Sequence, residues 1–428
     1  MRLAALALAG LVLLPGAARA LETVTLAVSG GPQGEVAPCA CSAGGDTGGI
    51  ARRATALARL RRQAPGVLHV STGDLFDPAV PGHRLRSRAI RRGLARLGLD
   101  GVALGPGDTA YGLAPLRRDA LPWLAGNAGG TGLPAVRHTR VNGVPVMLGA
   151  WYPPGADTAR DRVRAGPATP VLAALRAADA RGALTVLLTS AAPERARAAL
   201  HLAGIDVLAA GRAGPRPAPT RVRDGTLVVH PAERGMRLVR LTVEVNARGE
   251  VALWRHQTVP LRAGVPDFGP LDAWQAAYAE ARRADYRARV ARRERARAGE
   301  TPYVGADGCR ACHGPAHAAW RRSDHADARA DLTARGKAAD PGCLRCHVVG
   351  WGGPGGYMDP YLTPHLGGVQ CESCHGPSRE HVATGGVIPP PRPGGRRCRA
   401  CHTPENSPGF DRAAYAARLR HDAATLVP

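Results

Sequence analysis

The chain has almost no lysine and few aromatic residues. Lys337 is its only lysine, phenylalanine occurs three times, and Phe, Trp and Tyr together make up 4% of 428 residues. The formal charge of +23 is therefore carried almost wholly by arginine. Such a balance can mark a nucleic-acid or anionic-lipid partner. Here the arginines are spread along the chain and stacking aromatics are scarce, so no nucleic-acid partner is expected. Long apolar runs are missing too. After residue 20 no segment approaches the ~20 apolar residues that a spanning helix needs, and no integral membrane span is expected. Uncommitted cysteine is scarce as well. Of ten cysteines, eight fall in a repeated pattern, leaving Cys39 and Cys41. That excludes a disulfide scaffold as the organising principle.

The repeated pattern occupies Cys309 to His402. It reads Cys309-Arg-Ala-Cys312-His313, Cys343-Leu-Arg-Cys346-His347, Cys371-Glu-Ser-Cys374-His375 and Cys398-Arg-Ala-Cys401-His402. In Cys-x-x-Cys-His the two thiols can form thioethers to the vinyl groups of one haem while the adjacent imidazole reaches the iron. Paired Cys-x-x-Cys knuckles also build zinc sites, but zinc gives no reason for a histidine directly after the second cysteine four times. The pattern predicts four covalently attached c-type haems. Each haem brings two propionates, which would offset up to roughly eight positive charges through arginine pairing.

Haem attachment of this kind belongs outside the cytoplasm, and the N-terminus agrees. Residues 1–20 carry Arg2, an apolar run from Leu3 to Leu14 and a small-x-small site at Ala18-Arg19-Ala20. This reads as a signal peptide cleaved near Ala20, giving a periplasmic or otherwise exported protein.

The composition changes near residue 300. The expected organisation is a signal peptide at 1–20, an α/β domain at 21–262, a basic connector helix at 263–300 and a haem domain at 301–428. In the second part, 23–29, 67–71, 101–105, 183–189 and 205–210 read as strands, and 50–61, 84–97, 168–181 and 193–203 as helices. Asn142-Gly143 marks a hairpin between 135–141 and 144–150. Residues 220–258 read as antiparallel strands turning at Asp224-Gly225 and Arg248-Gly249. Alternating strands and helices followed by meander strands predict an α/β sandwich, with ligands beyond the carboxyl ends of its strands. From Leu271 to about Arg297, Trp274, Tyr278, Ala281, Tyr286 and Val290 form one stripe on a long basic helix. Residues 301–428 hold few large apolar side chains, so haem is expected to supply the core of a mainly helical domain. Pro389 to Pro391 with Pro393 make a stiff spacer.

The phrases STGDLFDP around Asp74, ALGPGDTAYG around Asp108, LAGNA at Asn127, VLLTSAA and IDVLAAGRAG resemble the calcineurin-like metallophosphoesterases, and more closely the N-terminal domain of periplasmic nucleotidases. That family holds two metal ions with Asp-x-His, Gly-Asp, Gly-Asn-His-Asp/Glu, a later His, and Gly-His-x-His. The matching positions here are Ser29-Gly30-Gly31, Asp74, Pro106-Gly107-Asp108, Ser190 and Gly211-Arg212-Ala213-Gly214. Every histidine ligand is missing. A dinuclear site needs several imidazole or carboxylate ligands per ion, so the domain is read as a pseudo-phosphoesterase. Cys39 and Cys41 lie in the loop of the first metal motif. They are either a turn disulfide or inert thiols, or a thiolate pair that takes a soft metal, a sulfur species or a redox partner.

The phrases CRACHGPAHAAWRRSDHADA, PGCLRCHVVGWGGPGGY, GVQCESCHGPSREH and CRACHTPENSPGFD resemble the tetrahaem cytochromes of the cytochrome c-554/c-552 type, which take electrons from hydroxylamine oxidoreductase. The resemblance implies proximal ligation by His313, His347, His375 and His402 and distal ligation by His325, His381 and His421. One haem of four is then left without an internal histidine. His317 and His365 are weaker alternatives for that position, and Met358 is weaker still. The function expected is electron transfer between periplasmic redox proteins, with the first domain as a docking unit. Two alternatives stand beside it: a redox enzyme acting on a small nitrogen or sulfur species at one open haem, and a metal-dependent nucleotidase fused to a cytochrome.

Overall fold

The apolar runs of the first half become the strands of two stacked sheets in the computed structural model. It describes residues 21–33, 35–38, 47–64, 66–76, 83–155, 163–211, 218–231, 234–295, 301–391, 395–404, 406–407 and 409–419. Residues 1–20, expected to be a signal peptide, and Cys39, Cys41, Arg212 to Gly214, Pro393 and His421 lie outside the described residues.

Strand Glu22–Ser29 is buried on both faces from Val24 onward because it lies inside the first sheet. It runs parallel to Val67–Ser71, which is followed by Gly101–Ala103 and Trp123–Leu124. On its other side comes the antiparallel hairpin Arg237–Val245 and Val251–Pro260. The second sheet runs Ala218–Arg223, Thr226–His230, Val207–Ala210, Leu184–Thr189, Val144–Trp151 and Val136–Val141. Positive φ at Asn142 (47°) and Gly143 (85°) makes the tight turn expected of that dipeptide. The expected meander is divided between the sheets. Thr226–His230 joins the second sheet parallel to Val207–Ala210, whereas the hairpin after Gly235 crosses to the first. Helix Pro193–Ala199 stops short of the expected end, because Leu200 turns to extended backbone and is buried, as is Leu202.

Three apolar layers hold this sandwich. Val24, Leu26 and Val28 meet Val146, Leu148, Val186 and Leu188 between the sheets. Helices Ile50–Gln63 and His83–Ala95 cover the outer face of the first sheet, and Thr169–Asp179 and Pro193–Ala199 cover the second. Burial of such aliphatic side chains stabilises by about 1.5–3 kcal/mol each.

Helix Asp272–Arg295 is ~36 Å long at 1.5 Å per residue. Its first half belongs to the sandwich: Trp274 packs on Gly93, and its indole N–H donates to Ala89 O at 3.1 Å. Its second half reaches the C-terminal helices, where Tyr286 stacks on Trp351 at 6.4 Å and donates to Met358 O at 3.0 Å. The C-terminal part is a set of short helices, of which Asp324–Ala334 and Pro341–His347 are central. It does have an apolar cluster of its own, built from Leu332, Leu344, Val348, Val349, Tyr357 and Leu366. This cluster is small because motif spacing, not hydrophobic periodicity, governs the sequence there. No helix among the described residues is long and apolar enough to cross a membrane.

Replacing Trp274 with Ala should lower the stability of the sandwich by about 3–5 kcal/mol, through lost burial and the lost indole hydrogen bond. Urea unfolding followed by circular dichroism measures this. Trp274→Phe should retain most of that stability.

Candidate haem centres

Each Cys-x-x-Cys-His motif lies on or beside a short helix: Ala306–Cys309, Pro341–His347, Cys371–His375 and Gly395–Cys401. One helical turn sets the two thiols on one side, with the histidine following. None of the eight motif cysteines is in a disulfide. Cys309 and Cys371 share a hydrogen bond, as do Cys346 and Cys401, so the proton they share raises one thiol of each pair and lowers the other. The first motif therefore adjoins the third, and the second adjoins the fourth.

The histidines are gathered in facing pairs. The ring centres of His313 and His381 stand 6.1 Å apart with 25° between planes, and those of His325 and His402 stand 6.1 Å apart with 54°. An ion between two imidazoles, with metal–nitrogen bonds of about 2.0 Å and about 1 Å more to each ring centre, needs a gap of roughly 6 Å. Both gaps have that size, so the residues fit an axially ligated haem iron. Burial, with the His402 ring adding to it, holds His325 below the usual imidazole range, and burial does the same for His402. Both rings are then neutral at pH 7 and have a lone pair to give.

Ring orientation is fixed from behind. His381 Nδ1 meets Ile388 O at 2.8 Å, and His347 Nδ1 meets Ala328 O at 2.5 Å. A carbonyl only accepts, so Nδ1 carries the proton in both rings and Nε2 remains for a metal. His402 Nδ1 meets Ser407 Oγ at 3.0 Å, and its ring stacks on Phe410 at 4.2 Å. His317 is buried against Trp320, with its Nε2 3.2 Å from Asp307 Oδ1, and His365 is exposed.

Two buried carboxylates that the motif pattern did not single out hold these helices. Glu372, between the cysteines of the third motif, accepts from Val304, Gly305 and Ser378 N–H at 2.8–3.1 Å. It thereby ties the approach to the first motif onto the third. Asp340 caps Pro341–His347, accepting from Gly342 N at 2.9 Å, and pairs with Arg86 and Arg282. The Asp-Pro pair at 340–341 is a legible helix-start signal. Its partners, some 60 and 250 positions upstream, are not legible in sequence.

The phosphoesterase-like pocket is built differently. A Cβ at Gly31 would stand 2.0 Å from Gly73 O and 2.3 Å from Asp74 O, and one at Gly105 would stand 2.3 Å from Asp74 Oδ1. No imidazole fits at position 31 unless these loops move. Asp108 accepts from Asp74, Leu75 and Gly105 N–H at 2.7–2.9 Å, and Asp74 accepts from Gly107 N at 3.0 Å. Burial and the neighbouring Asp74 carboxylate push Asp108 well up, against the pull of those three N–H groups. Asn127 spends its amide on Tyr152 and Gly166. These side chains brace loops. The hydroxyls of Thr72 and Ser190 and the Nε2 of His230 are buried without a hydrogen-bond partner.

Residues 308–376 match the family model described as Cytochrome c554 and c-prime. Cytochrome c-554 of Nitrosomonas europaea is 35% identical over 97 residues, which cover 19% of this chain and 41% of that protein. Among solved structures, the 5′-nucleotidase precursor of Thermus thermophilus is similar with a TM-score of 0.54 and 22% identity, covering 61% of this chain and 59% of that one. Thermus thermophilus sulfate thiohydrolase SoxB in complex with glycerol gives 0.51 and 17%, covering 66% of this chain and 63% of that one. The chain thus spans less than half of the cytochrome it matches and about three fifths of each structure. The similarity to cytochrome c-554 is confined to the C-terminal part, and the likeness to the two structures shows a phosphoesterase-type α/β fold for the first part, as the sequence led us to expect.

Glu372→Ala should leave the N–H groups of three residues without an acceptor and cost about 3 kcal/mol or more. The expected outcome is a lower melting temperature and faster proteolysis around residue 304 in the holoprotein. Glu372→Gln, which retains one acceptor oxygen, should lose less.

Proposed function

We propose that this is an exported tetrahaem c-type cytochrome that passes electrons between periplasmic redox proteins. In this reading His313, His347, His375 and His402 are the proximal ligands, and Cys309, Cys312, Cys343, Cys346, Cys371, Cys374, Cys398 and Cys401 form the thioethers. The observation that carries it is the pair of 6.1 Å gaps, each facing a motif histidine with a histidine from elsewhere in the chain. Accordingly His381 serves the first haem and His325 the fourth. The haem supplies the one-electron chemistry. The chain's own residues attach it, orient the imidazoles through Ile388, Ser407 and Ala328, and exclude water with the Leu344–Tyr357 cluster. The adjacency of the first motif to the third, and of the second to the fourth, supports a path of close haems.

The first domain acts in this reading as a docking unit without phosphohydrolase activity. The reading is supported by glycine at position 31 and by carboxylates already committed to backbone N–H groups. Manganese- or zinc-dependent release of phosphate from a nucleotide monophosphate at a rate above buffer would overturn it. A second reading, chemistry on a small nitrogen or sulfur species at one haem, rests on His347. Its ring is held by Ala328, while among the described residues, which do not include His421, the facing pairs are those of the first and fourth motifs.

Intact-protein mass spectrometry of the mature chain should show the mass of four haems, and a count below four would sink the tetrahaem reading. His381→Ala and His325→Ala should each turn one low-spin haem high-spin, seen as a charge-transfer band near the red end of the oxidised spectrum. Both should keep all four haems. Added nitrite or hydroxylamine should shift the wild-type spectrum only if one haem is open to small molecules.

A further inference from the structure

Among the described residues, three polar contacts join the two domains, and their first-domain partners lie in loops after strands or on the helix that follows one. Lys337 Nζ donates to Pro38 O at 2.6 Å. Arg234 bridges Glu35 at 2.5 Å and Asn406 at 3.0 Å, the latter four residues beyond His402. The third contact is the buried one. Arg86, on helix His83–Ala95, pairs with Asp340 Oδ1, and Arg282 of the connector helix reaches Oδ2 at 3.4 Å. The side chains of Arg86, Asp340 and Arg282 are 8%, 11% and 17% exposed, so solvent screens them little.

Asp340 has a second task. It is the N-cap of Pro341–His347, the helix that carries Cys343, Cys346 and His347. The carboxylate that receives the first domain's arginine is therefore built into the second haem attachment site. Cys343 follows Asp340 by three residues in the first turn of that helix, so the charges of Asp340 and of the arginines paired with it lie beside that motif. An iron that accepts an electron loses one positive charge. A nearby carboxylate therefore favours the oxidised form and a nearby guanidinium the reduced form, strongly so where the effective dielectric constant is well below that of water.

We propose that the Arg86–Asp340 pair is an electrostatic latch through which the first domain sets the reduction potential of the haem held by His347, with Asp340 as the positioning residue. The proposal rests on the tetrahaem reading. Its functional consequence is that whatever displaces helix His83–Ala95, a docked redox protein included, changes the electron affinity of one haem and leaves the others alone.

Spectroelectrochemical titration of the full-length holoprotein tests it, on wild type, Asp340→Asn, Arg86→Leu and Arg86→Lys. Loss of the carboxylate should move one midpoint potential positive, and loss of the guanidinium should move the same potential negative. Arg86→Lys should match wild type. Opposite signs are the signature of charge, because a purely mechanical joint would shift both variants the same way or disturb all four haems. Either of those patterns, or unmoved potentials, overturns the latch. Arg86→Gln supplies the same charge loss if the Leu variant fails to take up its haems. A haem count on the same samples separates the two claims: fewer than four haems in wild type sinks the tetrahaem reading, and four haems with fixed potentials sinks only the latch.

Discussion

An iron held between two imidazoles fixes two distant points of a chain on opposite sides of one plane, about 6 Å apart from ring centre to ring centre. In the proposed reading that constraint organises the C-terminal third. It brings His381 across from His313 and His325 across from His402, and the short helices between them fall where the motif spacing and those partners require. In that reading a segment with one small apolar cluster can be ordered, because bound haem would occupy the positions that side chains fill elsewhere. Buried polar groups complete the arrangement. Glu372 ties the first motif to the third, and Asp340 holds the second against the sandwich.

The first domain has a phosphoesterase-type fold whose loops are braced from within. Its three apolar layers are intact, and they alone determine the sandwich. Gly31 lies on Gly73 and Asp74, and Asp108 accepts from three backbone N–H groups. Similarity to a nucleotidase precursor and a thiohydrolase therefore speaks for the architecture, and the site has to be read from its own residues. The connector helix joins the two regimes, with Trp274 in the core of one and Tyr286 against the aromatic cluster of the other.

Much of this was legible in the sequence for physical reasons that can be named. The Cys-x-x-Cys-His motifs are local in sequence, so their spacing alone pointed to haem c. Strands such as Glu22–Ser29 and the Asn142-Gly143 turn were legible from their apolar runs and the need for positive φ. The division of the last strands between two sheets was not, because hairpins look alike whichever sheet receives them. Nor could spacing show which distal histidine meets which motif, since His381 is 68 positions from the ring it faces. The Arg86–Asp340 contact joins residues 254 positions apart and leaves no local trace.

Low-temperature EPR of the oxidised protein, with metal analysis on the same sample, tests the central claim most directly. The account predicts four irons per chain and no zinc. It also predicts at least two distinct low-spin signals, because the His313–His381 planes differ by 25° and the His325–His402 planes by 54°. Zinc in place of iron, or iron that is high-spin throughout, would contradict it.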